Sequence, residues 1–272
     1  MHAPALEAVL RRDRAIIVVA LGVLTALCWL DLVWLVDDMA MGGMDMTGFR
    51  MIPAGQALMM PASAPWQPIE FGCVFAMWVV MMIGMMTPSA APAILVYARI
   101  GRQAVAEGRP FASAAWFAGG YLLAWTAFSV AATSTQWALE RAALLTPMMA
   151  ATSSTLGCVA LIIAGLYQWT PLKDACLSHC QSPFTFILSR GGFRGDAAGS
   201  LSLGWRHGLY CVGCCWALMV LLFVLGVMNL FWIAALAILV LLEKVIPSGR
   251  IIARIAGMAF VAGGGWMLIH PA

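Results

Sequence analysis

Long apolar runs restrict what this chain can fold into more than any other feature. Seven of them cover residues 15–36, 71–97, 113–133, 152–169, 207–227, 229–246 and 251–269. A helix of about 20 apolar residues crosses the hydrocarbon core of a bilayer, which is roughly 30 Å thick. The chain is 63% hydrophobic and 10% charged, whereas soluble domains have about 25% charged residues. The sequence therefore predicts an all-α, polytopic transmembrane helix bundle of about seven spans.

Lysine and arginine are distributed unevenly between the segments that connect these runs. If the amino terminus is cytoplasmic, all but two of the 15 basic residues lie on the cytoplasmic side, and only Arg50 and Arg141 lie outside. An excess of basic residues marks the cytoplasmic loops of membrane proteins. We therefore expect a multi-pass protein of the bacterial inner membrane, with its amino terminus inside and its carboxyl terminus outside. The net charge of +3 does not indicate a nucleic-acid partner.

Two hydrophilic segments divide the predicted bundle. Residues 1–36 form an amino-terminal membrane anchor helix, because their apolar run exceeds the about 7–15 residues of a signal peptide. Residues 37–70 form a methionine-rich extracytoplasmic loop. Residues 71–272 form a six-span membrane domain that contains a cytoplasmic loop at 170–206. Inside the second run, Pro88 and Pro92 predict a kink, and Glu243 and Lys244 are expected to pair at the end of the sixth.

Five of the eight cysteines gather in two clusters on the predicted cytoplasmic side, in "CLSHC" and in "HGLYCVGCC". On helices, these spacings place each cluster's thiols and histidine close to one face. The cytoplasm is reducing, which disfavours structural disulfides, and thiolate with imidazole suits Cu(I) or Zn²⁺. Cysteines that pack like alanines at the membrane interface are the simpler alternative. The predicted ligands of one soft-metal site at the inner face are Cys176, Cys180, Cys211 and Cys215, with Cys214, His179 and His207 as alternates or as groups that support the ligands.

Methionine is frequent, with 19 residues in 272, and it is concentrated in two places. In "FAMWVVMMIGMMTPSAAP" it recurs every four residues, which forms stripes along a helix. Core packing would explain one stripe, because methionine fills irregular gaps, but it would not explain closely spaced methionines in an exposed loop. Thioethers are soft ligands that select Cu(I). The candidate ligands of a Cu(I) route are Met77, Met81, Met82, Met85 and Met86 across the membrane, and Met39, Met41, Met44 and Met46 in the outer loop.

Two classes of function remain open. The first is a soft-metal-binding membrane protein that transports or delivers copper, with Cu(I) as the preferred ion and zinc as the alternative. The second is a membrane thiol–disulfide protein that cycles Cys211 and Cys214. A helper that assembles a copper or haem oxidase overlaps with the first class, and its partners would be a copper chaperone or an oxidase subunit. The sequence has no nucleophile–base–acid set and no phosphate-binding loop that would indicate an enzyme.

Several stretches also resemble a known family. They are "MMIGMMTPSAAP", "YQWTPLKDACLSHCQSPFTFIL", "GLYCVGCCWALMVLLFVLGVMNLFW" and "LLEKVIPSG". They are similar to a bacterial family of polytopic membrane proteins that is described as metal-binding and, in part, as copper-handling. The resemblance extends from about residue 69 to residue 269. On the matching positions, it implies that the metal ligands are Cys176, Cys180, Cys211, Cys214 and Cys215.

Overall fold

A computed structural model of the chain describes residues 3–39, 49–54, 58–61, 63–108, 110–146 and 149–270, with side chains from residue 14 onward in the first helix. Helices dominate this part of the chain, and one two-stranded antiparallel sheet lies between the first two of them. The elements in chain order are α1 (Ala3–Met39), β1 (Phe49–Ile52), β2 (Leu58–Pro61), α2 (Pro68–Ala106), α3 (Ala114–Arg141), α4 (Ser154–Tyr167), α5 (Pro171–Gln181), α6 (Pro183–Ser189), α7 (Ala197–Val220), α8 (Leu222–Leu225), α9 (Leu230–Val245) and α10 (Gly249–Ile269).

Five of the described helical segments are long and apolar enough to cross a membrane. A sixth span would consist of α4 and α5 together, which are bent by 63° relative to each other. Helix α9 has 16 residues, which corresponds to about 24 Å and is shorter than the hydrocarbon core. The prediction of an all-helical architecture is therefore confirmed for the described residues apart from the small sheet, with five to six helices that could cross a membrane. Seven spans and the orientation stay predictions.

The segment predicted as a cytoplasmic loop at 170–206 is largely helical. It contains α5, α6 and the first ten residues of α7, which starts at Ala197 instead of His207. The side chain of Asp196 caps this start by accepting a hydrogen bond from the Gly199 amide at 2.7 Å. Cys211 consequently lies mid-helix, about 21 Å from either end of the 197–225 segment. The thiols therefore lie at mid-span of this helix rather than at its start.

Helix α2 lies at the centre of the bundle and holds the methionine stripes. It runs without interruption over 39 residues, with Pro88 and Pro92 inside it. The side chain of Thr87 donates a hydrogen bond to the Ile83 carbonyl at 2.7 Å, and Tyr121 of α3 donates one to the Met86 carbonyl at 3.1 Å. Protein groups thus supply hydrogen bonds near the prolines, as a helix inside a membrane requires.

Small residues bring α3 and α7 into direct backbone contact. A Cβ atom added to Gly120 would lie 2.0 Å from the Leu201 carbonyl oxygen, and one added to Gly204 would lie 2.0 Å from the Phe117 carbonyl oxygen. Such close approach is the usual use of small residues between membrane helices. The contact fixes α7, and hence its cysteines, against α3.

Gly120→Ala is expected to destabilise the protein by about 1–3 kcal/mol, because the new methyl group overlaps backbone atoms of α7. Gly119→Ala is the matched control, since its added Cβ would meet only the Leu201 Cδ1 atom at 3.8 Å. Both substitutions gain the same helix propensity, about 1 kcal/mol. Thermal unfolding of the purified proteins in detergent compares them. Equal midpoints for the two variants would contradict this packing.

The sheet is attached to the start of α2. Arg50 donates to the Glu70 carboxylate, with Nη2 and Oε2 2.9 Å apart, and Nη1 donates to the Ala64 carbonyl at 2.9 Å. The hydrogen bond to Glu70 raises the pKa of Arg50, so the guanidinium stays charged. Glu70 is 2% exposed and lies in the first turn of α2. The β-hairpin therefore has a fixed place at this end of the bundle.

Candidate metal site

Helices α5 and α7 bring the two cysteine clusters together. The sulfur atoms of Cys180 and Cys214 are 4.0 Å apart. The sulfur of Cys176 lies against Gly213, where an added Cβ atom would be 2.9 Å from it. Tyr167 of α4 donates a hydrogen bond to the Gly213 carbonyl. The absence of a side chain at Gly213 therefore lets "CLSHC" pack directly on "CVGCC".

The separation of Cys180 and Cys214 suits a shared metal ion. Two metal–sulfur bonds of about 2.3 Å that bridge a gap of 4.0 Å would enclose an angle of about 120°. This is the angle of a trigonal site, which a third soft donor would complete. Cys214 was expected only as an alternate or as a group behind the ligands, but it is the cysteine of α7 whose sulfur lies 4.0 Å from that of Cys180.

Cys211 lies beside this pair, and a lysine contacts it. Lys244 of α9 donates to the Cys211 sulfur at 2.7 Å and to the Ser89 hydroxyl at 3.3 Å. The Tyr121 hydroxyl lies 3.0 Å from the same sulfur. Cys214 and Cys215 each donate to the Cys211 carbonyl at 3.0 Å. The ammonium of Lys244 is therefore placed to balance any negative charge on the Cys211 sulfur.

The predicted pairing of Glu243 with Lys244 is wrong. Glu243 instead accepts a hydrogen bond from Lys173 of α5, with Oε2 and Nζ 2.7 Å apart, and both side chains are almost fully buried. Consecutive residues on a helix do not face each other, so Glu243 and Lys244 point to different neighbours. The result is one ion pair that joins α5 to α9 and one lysine that faces the thiols.

The two candidate histidines differ in their surroundings. His207 is 3% exposed and lies among the rings of Phe117, Tyr121 and Phe186. Its Nδ1 atom has no hydrogen-bond partner in the part of the chain that the structure describes. His179 stacks on Tyr210 with ring centroids 4.4 Å apart, and its Nδ1 lies 2.7 Å from the Ala175 carbonyl oxygen. Each histidine thus keeps at least one nitrogen that the backbone does not engage.

The described side chains do not form a closed metal site as they stand. Within residues 3–39, 49–54, 58–61, 63–108, 110–146 and 149–270, no three His, Cys, Asp or Glu side chains are close enough together to hold a metal ion. A shift of side-chain rotamers in α5 and α7 would be required to bring a third sulfur to Cys180 and Cys214. Methionine sulfurs are a further source of soft donors.

The methionines of α2 face the interior of the bundle. All five candidates are buried, at no more than 2% exposure, and they belong to the same buried cluster as Cys211, Cys214 and Cys215. Met86 reaches the level of the thiols, because Tyr121 bridges its carbonyl and the Cys211 sulfur. The stripe therefore ends at the cysteines. The members on α2 are Met77, Met81, Met82, Met85 and Met86.

The outer-loop candidates have a different outcome. Met39, which was expected to be exposed, is 4% exposed at the end of α1 and packs in the core. The expectation failed there because α1 continues to Met39. Met41, Met44 and Met46 lie outside the residues that the structure describes.

Sequence reasoning missed several groups that surround the thiols. Tyr121 and Lys173 were not singled out, and Lys244 was assigned to another partner. A signal existed for the two lysines, since an ionisable residue at membrane depth is a candidate functional group. Further buried methionines in the same cluster were not among the candidate ligands; they are Met51, Met149, Met219 and Met228.

Comparison with known proteins adds a family to this geometry. The PpoB2 family, which is described as a copper chaperone, matches residues 75–267. This range is well over half of the chain and includes both cysteine clusters and the methionine stripes. The chain belongs to the PpoB2 copper chaperone family. The identification confirms the resemblance to a copper-handling family. No curated protein and no solved structure matches the chain.

The range that matches the PpoB2 family contains the candidate metal ligands of α2, α5 and α7. The matched range begins two residues before Met77 and ends after α9 and most of α10. It therefore contains Lys173, Glu243 and Lys244 as well as all five clustered cysteines. Helix α1 and the β-hairpin precede it. The match to a copper chaperone family thus covers four of the five helices that are long and apolar enough to cross a membrane.

Proposed function

We propose that this protein binds Cu(I) as cargo and moves or delivers it through the bacterial inner membrane. The methionines of α2 would carry the ion, and the cysteines of α5 and α7 would receive it. The observation that supports this most is the continuity of soft donors, since the stripe ends at Met86, which Tyr121 links to the Cys211 sulfur. A copper chaperone or an oxidase subunit would be the partner that exchanges the ion.

The route along α2 has spacing that suits transfer between neighbouring donors. Met77, Met81 and Met85 follow one another at four-residue intervals, a rise of about 6 Å at each step. Met82 and Met86 form a second stripe one residue further round. Thioethers are neutral, so a Cu(I) ion bound by them keeps its positive charge. Burial of a charge is unfavourable, so the ion would stay at each methionine only briefly. Weak, repeated donors of this kind favour movement over storage.

The thiols provide a stronger end point. Cu(I) is satisfied by fewer soft donors than the about four that a structural zinc ion takes. Cys180 and Cys214 would bind it first, with Cys211, Cys176 or Cys215 as the third ligand and His179 or His207 as a further donor. Zinc is the alternative ion if all four positions of a tetrahedral site are filled by these groups.

A thiol–disulfide protein is the second candidate, and the same pair of sulfurs supports it. Two free thiols that are 4.0 Å apart would need to approach to about 2.05 Å to form a disulfide. Cys180 with Cys214 would be one such pair, and Cys211 with Cys214 of one helix would be the other. Buried methionines along α2 have no role in thiol exchange.

Metal analysis under reducing conditions tests the proposal. The wild-type protein is expected to bind copper. Cys214→Ser is expected to weaken Cu(I) binding by more than about tenfold, because even the loss of a group that only orients a metal ligand costs about 10–100-fold in affinity. Cys73→Ser is the matched control, because Cys73 is a free cysteine of α2 outside the cluster. Mild oxidation followed by mass spectrometry detects a Cys180–Cys214 disulfide. A protein that binds no copper but forms this disulfide would contradict copper handling and support redox chemistry.

A further inference from the structure

We propose a Cu(I) acceptor site on the β-hairpin, formed by the thioethers of Met51 and Met59. This site deepens the proposed function, on which it rests, by naming where the ion enters. It lies outside the matched range of 75–267. It would take a soft monovalent cation and pass it to the methionines of α2.

The register of the strands places these two side chains side by side. Met51 of β1 pairs directly with Met59 of β2. Opposite residues of an antiparallel pair point to the same face, with Cβ atoms about 4.5–5.5 Å apart. A methionine side chain is long and flexible, so both sulfurs can reach one ion from this position. The pair thus supplies two of the soft donors that Cu(I) selects.

The opposite face of the hairpin attaches it to α2. Arg50 pairs with Met60, and alternation along a strand puts both on the face away from Met51. Arg50 holds this face to Glu70 at the start of α2. The anchored face fixes the orientation of the hairpin, and Met51 and Met59 therefore keep one direction relative to the bundle.

The side chains of Met51 and Met59 differ in solvent exposure. Met51 is 3% exposed and belongs to the buried cluster of the bundle. Met59 is 38% exposed, so burial does not account for it. Met51 also lines a cavity of about 580 Å³ together with Trp66 and Glu140. One donor is therefore reached from solvent, and its neighbour faces the interior.

The hairpin lies directly ahead of the route along α2. Glu70, which holds the hairpin, precedes Met77 by seven residues, or about 10 Å along the helix. Met51 and Met77 belong to the same buried cluster. An ion that leaves Met51 would pass to the thioethers of α2, which continue to Met86 beside the thiols.

Ag(I) is a suitable probe because it is soft and does not cycle its oxidation state under these conditions. Full-length protein in detergent is treated with peroxide, and oxidation of each methionine is followed by mass spectrometry. At free Ag(I) of about ten times the dissociation constant, oxidation of Met59 is expected to slow about tenfold, because only the unoccupied fraction reacts. Met60 serves as the internal control on the opposite face.

Substitutions test the same site independently. Met51→Leu is expected to remove the protection of Met59, whereas Met60→Leu is expected to leave it unchanged. Leucine nearly conserves the volume of methionine, so both variants should fold. Retention of copper by the cysteines reports on the proposed function separately.

The outcomes are distinct. If Ag(I) binds to the thiols of the wild-type protein but leaves Met59 as reactive as before, the hairpin site is wrong and the thiol site stands. Protection that persists in Met51→Leu would also overturn the pairing. If the wild-type protein binds neither Ag(I) nor Cu(I), the proposed function fails together with this site.

Discussion

Replacing Met81 and Met85 together with leucine is expected to abolish copper movement between the two faces of the membrane and to leave the protein folded. Both side chains are buried in the bundle at 0% and 1% exposure. Leucine nearly conserves their volume and apolarity, so the free energy of unfolding should change by less than about 1.5 kcal/mol. The substitution removes two soft donors, so Cu(I) loses its ligands in the middle of the route. A vesicle assay with the reconstituted protein measures the movement.

A matched variant isolates the effect of position. Met258→Leu changes a methionine of α10 that is 52% exposed and lies outside the stripe, so copper movement should be unaffected. The double variant is also expected to retain copper at its cysteines, because these lie on other helices. Normal movement in Met81→Leu/Met85→Leu would mean that the stripe is core packing alone and that only a thiol site remains, for which zinc is then an equal candidate.

Lys173→Met is expected to destabilise the protein by about 3–5 kcal/mol, because it leaves the Glu243 carboxylate buried without its partner. The two side chains are 0% and 1% exposed, and their charged atoms are 2.7 Å apart. The pair joins α5 to α9 and thereby holds "CLSHC" near Lys244. Thermal unfolding in detergent measures the loss, and copper content should fall with it as α5 detaches.

Two further variants distinguish the effect of a buried, unpaired charge from the effect of losing a basic side chain. Arg254→Met breaks the ion pair with Asp174, whose atoms are 3.4 Å apart and whose arginine side chain is 58% exposed. It should cost only about 0–1 kcal/mol. The double variant Lys173→Met/Glu243→Leu leaves no unpaired charge and is expected to recover most of the stability. A double variant as unstable as Lys173→Met would contradict this account.

The sequence by itself determined the class of fold and predicted the chemistry of the candidate site. The apolar runs predicted membrane-crossing helices, because only a helix satisfies its own backbone within a bilayer. The cysteine and methionine spacings predicted soft donors on helix faces, since a period of 3.6 residues holds along any helix. Family membership in turn supports copper handling. These properties are local to a stretch of chain, and so they can be derived from it.

The tertiary structure alone decided which of these groups meet. Helix α7 starts at Ala197, and its first ten residues pack on α3 through the close backbone approach at Gly204, a contact that hydropathy does not register. The choice of Cys214 as the neighbour of Cys180 depends on how α5 lies across Gly213. Lys244 contacts Cys211 and Lys173 contacts Glu243 because α9 packs between partners that are distant in sequence. Such contacts depend on the relative placement of whole helices, which one chain's local pattern does not specify.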